Sequence, residues 1–144
     1  MTEHTNKNVA DARHPLSERK RRILDHANRV AAQRDQRIER NLFYYEDDWR
    51  YMRFLVPEGL RVLELGCGTG QLLAKLMPAV GVGVDFSPAM IAIARENNPQ
   101  HTFIVADVED EDLVSKLEGP FDVIVISDTV GSFQDCITTI EKLH

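Results

Sequence analysis

The sequence predicts an α/β fold, a doubly wound and mostly parallel sheet preceded by an N-terminal helical extension. Three observations carry that expectation. Apolar, β-branched runs occur at 62–65, 80–85, 102–107 and 121–128, nearly continuous, as in parallel strands covered on both faces. Segments of helical character separate the first three runs, which is the pattern of right-handed βαβ units. The first run feeds directly into glycines at 66, 68 and 70 and then into an amphipathic stretch at 71–77. Such a strand–turn–helix junction brings backbone against a small polar ligand.

Taken in order, residues 1–15 are polar and without periodicity, and are expected to be a disordered arm. Pro15-Leu16-Ser17 opens a helix with Ser17 as its cap. Residues 16–56 form a helical segment, with Ile23, Ala27, Val30, Ala31, Ile38 and Leu42 at roughly helical spacing. Its basic run, Arg19-Lys20-Arg21-Arg22, reads as a solvated helix start; a membrane-surface or polyanion contact is the sharper alternative. Aromatic residues concentrate at 43–54, where Phe43, Trp49, Tyr51 and Phe54 are expected to pack the helix against the sheet. Pro57-Glu58-Gly59 closes this segment, and residues 57–144 hold the sheet.

The glycine spacing separates two nucleotide-binding patterns. A dinucleotide fingerprint, G-x-G-x-x-G starting at Gly66, requires glycine at position 71, where this chain has Gln71. The second strand ends in Asp85, fifteen residues after Gly70. In doubly wound sheets an acid at that place accepts hydrogen bonds from ribose hydroxyls. Ser87 then caps a helix with Pro88 at its first position. The third strand ends in Asp107, and the fourth in Ser127 and Asp128, where an open α/β sheet holds its ligand. None of His4, His14, His26, His101 and His144 falls at a strand C-terminus facing that crevice.

Four blocks occur in order: Glu64-x-Gly66-x-Gly68-x-Gly70, V-G-V-D-F-S-P-A-M-I at 82–91, A-D-V-E-D at 106–110 and F-D-V-I-V-I-S-D at 121–128. Over about residues 57–135 they resemble the class I (Rossmann-like) S-adenosylmethionine-dependent methyltransferases. The resemblance implies strand order 3-2-1-4. It also implies that the C-terminal strands are missing, because members of the family continue through a fifth strand and an antiparallel pair. The fourth strand then becomes an exposed hydrophobic edge open to pairing.

The resemblance further implies S-adenosyl-L-methionine as cofactor and assigns residues to it. The turn amides from Gly66 through Cys67 and Gly68 to Gly70 face the methionine end, and Glu64 meets its amine. Cys67 reads as a small residue tolerated in the turn. Asp85 takes the ribose hydroxyls, and Phe86 and Met90 flank the adenine. Asp107 accepts from the adenine amino group, and the Val108 amide donates to a ring nitrogen. Ser127 lines the crevice, and Asp128 is the candidate general base for acceptors that lose a proton. Upstream helices often cover the site in this family, so Tyr44 and Tyr45 are candidates to face it.

The expected function is therefore methyl transfer to a small-molecule acceptor, lipid or sugar included. One alternative is a cofactor-binding or interaction half-domain without catalysis. Another is an NAD(P)-dependent oxidoreductase, against which Gln71 counts. Composition fits one globular domain, with 43% hydrophobic and 28% charged residues. The net charge of −6 divides into +3 over residues 1–54 and −9 over 55–144. An acidic core argues against nucleic acid as partner. No apolar run approaches the about 18 residues of a membrane span. Residues 1–7 lack the apolar core of a signal peptide. Cys67 and Cys136 make neither a disulfide framework nor a metal-ligand pattern. A cytoplasmic location is expected.

Overall fold

A computed structural model describes residues 15–144. The expected arm at 1–15, all but its last residue, lies outside the described residues, as do His4 and His14. Two helices come first, α1 (Glu18–Arg40) and α2 (Leu42–Leu55). Then follow β1 (Arg61–Leu65), α3 (Gln71–Leu76), β2 (Val80–Asp85), α4 (Pro88–Asn97) and β3 (Thr102–Val105). β4 (Val123–Val125) and α5 (Cys136–Lys142) come last, with single 3-10 turns at Val114–Lys116 and Val130–Ser132.

The sheet is parallel in the order β3-β2-β1-β4. Register pairs Leu63 with Val82 on one side and with Ile124 on the other. The chain moves from β1 outward to β3, then crosses back to place β4 against the opposite side of β1. That reversal puts a topological switch point between β1 and β4, and the crevice beyond their C-terminal ends is where such sheets bind ligands.

Side chains alternate across β1, so each face of the sheet has its own core. Val62 packs with Leu72, Leu73, Leu76, Ile91, Ala94 and Phe103 beneath α3 and α4, together with Ile38, Trp49 and Val56. Leu63 and Leu65 pack with Val82, Val84, Ala106, Val108 and Leu113 on the other face. Burying one leucine of this kind is worth about 1.5–3 kcal/mol, so these two clusters hold the frame that carries the strand ends.

Ser17 caps α1 as expected, its hydroxyl accepting from the Lys20 amide at 3.2 Å. The helical segment breaks at Asn41, whose backbone leaves helical geometry (φ −117°, ψ 30°). The Asn41 side chain donates to the Arg37 carbonyl at 2.8 Å, a local bond that competes with helix continuation.

Two expectations for this segment need correction. Of the aromatic residues assigned to packing, only Trp49 is buried. Phe43 is 89% and Phe54 82% exposed, and Tyr51 is exposed as well. Rings at 43, 44, 45, 49, 51 and 54 surround the helix, and a single helix offers the sheet one stripe. The basic run is not uniformly solvated either. Lys20 is 6% exposed, and Arg19 donates to the Gly131 carbonyl at 2.6 Å.

Candidate functional site

The turn after β1 is built from its own backbone. Gly66, Gly68 and Gly70 all have positive φ. At Gly66 (φ +79°) a Cβ would lie 2.0 Å from Thr129 Oγ1, so only glycine lets the post-β4 loop close over the turn. At Gly70 (φ +78°) a Cβ would lie 2.8 Å from the Phe103 ring. Gly70 serves close packing and lines neither chamber described below.

The turn amides are mostly spent inside the protein. Gly66 and Cys67 donate to the Val84 carbonyl at 2.7 and 3.0 Å, and Gly70 donates to the Cys67 carbonyl at 2.9 Å. Gly68 donates to Asp85 Oδ2 at 2.9 Å. Among these five residues, Thr69 alone has an amide without a partner in the described structure. The expected cradle of turn amides is thereby narrowed.

Asp85 gains what those amides give up. The Ser87 amide donates to its Oδ1 at 2.9 Å, so each carboxylate oxygen is held by one backbone N–H. Burial pushes its carboxyl up; the Ser87 and Gly68 amides and the Arg34 charge oppose this. An ionised carboxylate has about four lone-pair sites, so two amides fix its plane and leave acceptor capacity for a diol. Ser87 in turn accepts from the Met90 amide at 3.2 Å and donates to Asn28 Oδ1 of α1 at 2.6 Å.

Two chambers meet at Gly66 and Asp128, which line both. The larger, about 190 Å³, is walled by Asp85, Phe86, Met90, Asp107 and Val108. Thr129, Ser132 and Phe133 after β4 close one side of it, and Lys20, Ile23 and Ala27 of α1 roof it. The smaller, about 70 Å³, is walled by Glu64, Cys67, Gly68, Thr69, Gln71, Leu72 and Ser127. Arg34 and Ile38 of α1 and Tyr45, Asp48 and Trp49 of α2 cover it. Tyr44 is exposed on the outer face of α2, whereas Tyr45 lines the smaller chamber.

Charge in the smaller chamber differs from expectation. Glu64 is fully buried, its Oε2 accepting from the Leu73 amide at 3.1 Å, and burial pushes its carboxyl up to about 8. Burial thus favours its neutral form, whereas pairing with an amine requires the charged one. Cys67 is buried, and its thiol is pushed up by burial and by Glu64 and Asp85; it is packing, not a nucleophile. Arg34 is the cation of this chamber. Asp128 sits at positive φ (+56°) beside Asp48, whose carboxyl is raised by burial and by Asp128 and Asp47.

The residues of α1, with Asp48 and Trp49 of α2, are those that sequence reasoning did not bring to the site, whereas Tyr45 was among its candidates. Ile23, Ala27 and Ile38 stand in the helical apolar pattern, which cannot distinguish a core from a chamber roof. His101 lies edge-on to Phe103 at 6.5 Å, away from both chambers. No helix among the described residues is long and apolar enough to cross a membrane.

A family model described as a methyltransferase domain matches residues 62–144. The malonyl-[acyl-carrier protein] O-methyltransferase of Priestia megaterium is 30% identical over 131 residues, covering 87% of this chain and 45% of that one. The trans-aconitate 2-methyltransferase of Variovorax paradoxus is 48% identical over 60 residues, 39% of this chain and 23% of that one. The chain thus spans less than half the length of these relatives. Among solved structures, the magnesium protoporphyrin IX methyltransferase of Synechocystis PCC 6803 superposes with a TM-score of 0.69 at 19% identity, covering 91% of this chain and 73% of that one. At that identity the likeness is one of fold. With the match over 62–144, the sheet order and the glycine turn in agreement, the chain belongs to the methyltransferase-domain family of class I S-adenosylmethionine-dependent methyltransferases.

Proposed function

We propose that the paired chambers hold S-adenosylmethionine, its adenosine in the larger and its methionine end in the smaller, for methyl transfer to a small-molecule acceptor. The observation that carries this reading is Asp85: a buried carboxylate with each oxygen held by an amide, on the wall of the larger chamber. Asp85 accepts from the ribose hydroxyls. Phe86, Met90, Val108 and Ile23 give the base an apolar slot, and Asp107 accepts from its amino group. Arg34 pairs with the methionine carboxylate. Thr69 offers the unspent amide of the turn. The donor set therefore fits the group.

When bound, the cofactor supplies an electrophilic methyl group on a sulfonium. The chain's part is mainly positioning, which accounts for much of the barrier in such displacements. α1 and α2 roof the chambers and supply part of their lining. Asp128, at the junction of the two chambers, takes a proton from acceptors that must lose one. The relative named for trans-aconitate supports an acceptor of small size, and the one named for malonyl-[acyl-carrier protein] a small acyl group borne on a protein.

Calorimetric titration with S-adenosylhomocysteine, beside NADH, tests the cofactor assignment. The reading expects micromolar binding of the first and none of the second. Binding of NADH alone would contradict it. Adding an acceptor panel with S-adenosylmethionine then separates an enzyme from a binding module.

A further inference from the structure

Lys20 is a buried lysine that the methyl-transfer chemistry does not use. Its ammonium bonds to Asp107 Oδ2 and to Glu109 Oε2, and its side chain is 8% exposed. Two carboxylates on one buried ammonium form a strongly held triad, because each partner left alone would carry an uncompensated charge. The second oxygen of Asp107 accepts from the Glu109 amide at 3.0 Å. Glu109 is anchored further, accepting from the Gln134 and Asp135 amides at 2.8 and 2.7 Å. Asp107 is thus clamped from α1 on one side and from the loop before α5, through Glu109, on the other.

Lys20 and Asp107 both line the larger chamber, whereas Glu109 does not. The other walls near them, Ile23, Ala27, Met90, Val108 and Phe133, are apolar. In such surroundings an unclamped carboxylate would turn toward water. A clamped one keeps its remaining lone pairs on the chamber.

We infer that Lys20 is a specificity-determining positioning residue, which pins Asp107 so that it reads the exocyclic amino group of the bound base. This rests on the cofactor reading above. An adenine offers a donor at that place; a hypoxanthine offers a carbonyl oxygen, which a fixed carboxylate repels. Mispairing a fixed polar group is what gives such sites their discrimination.

The test is the ratio of two affinities, for S-adenosylhomocysteine and its inosine counterpart, measured by calorimetry on the full chain. Wild type is expected to favour the adenine compound by at least about tenfold. Lys20→Met lowers that ratio severalfold or abolishes it, and Lys20→Arg restores part of it. Glu109→Gln, outside the chamber and still able to accept from the Gln134 and Asp135 amides, lowers the ratio in the same direction. Asp35→Ala loosens α1 at a different anchor, where Asp35 accepts from the Thr69 hydroxyl and the Asn97 side chain, and leaves the ratio as in wild type. A purely structural role for Lys20 would weaken both ligands equally. An unchanged ratio in both folded Lys20→Met and folded Glu109→Gln would overturn the proposal while leaving the cofactor reading intact. No binding of either compound by folded wild type would overturn both.

Discussion

At the scale of single residues, Glu64 departs most from what its place in the motif suggests. Its carboxyl is raised from 4.5 to about 8 because burial outweighs the single Leu73 amide. The unfolded chain releases this proton near the ordinary value; the folded chain keeps it until about pH 8. The folded state therefore binds more protons between those values, and this group's contribution to stability falls as pH rises from 4.5 to about 8. Glu64→Gln is expected to remove that slope. In denaturant titrations its stability relative to wild type should rise toward pH 8, by an amount on the order of a few kcal/mol. Parallel pH profiles for the two proteins would contradict it. The glycines of the same turn make a matched pair. Gly68→Ala meets nothing within 4 Å and costs only its positive φ, about 1–2 kcal/mol. Gly66→Ala adds a collision with Thr129 and is expected to cost about 3 kcal/mol or more. Urea midpoints of the two variants measure the difference.

At the scale of elements, α1 decides whether the crevice is a groove or a pair of roofed chambers. It is tied at Lys20 to Asp107 and Glu109, at Asn28 to Ser87, and at Asp35 to Thr69 and Asn97. These anchors are polar and spaced along one face, while few large apolar side chains of α1 are buried. A helix held this way opens at a lower free energy than the strands beneath it. Binding of S-adenosylhomocysteine is therefore expected to slow amide hydrogen exchange along α1 as well as in the glycine turn. Protection confined to the turn and β2 would show that α1 takes no part in holding the ligand.

At the scale of the whole molecule, the sheet ends in β4, which pairs with β1 alone among the described residues. Ile124 on this strand is partly exposed, as are Ile137 and Ile140 of α5. An open apolar edge is a template for pairing. A polypeptide of these 144 residues is expected to self-associate with concentration in sedimentation velocity, and Ile124→Lys to reduce that association. Identical sedimentation of variant and wild type would place any association elsewhere.

What was legible in the sequence was local. β1, the glycine turn, β2 and the Ser87-capped α4 follow from periodicity and turn chemistry over a few residues. Asp85, Phe86, Met90, Asp107 and Val108 could be placed on one wall because strand ends in a parallel sheet share one edge. Lys20 could not be placed, since Asp107 lies 87 residues away and nothing near Lys20 in the chain announces a buried partner. The state of Glu64 was equally hidden: the motif shows a carboxyl, and only packing around it sets its charge. In α2, aromatic rings at successive positions left open which of them meet the sheet.

The claim on which the rest depends is that Asp85 holds the cofactor's ribose. Calorimetric titration of S-adenosylhomocysteine into wild type and Asp85→Asn tests it most directly, with circular dichroism confirming that both are folded. The account predicts micromolar binding to wild type and at least tenfold weaker binding to the variant, about 1.4 kcal/mol or more. Equal binding by the two folded proteins would contradict it.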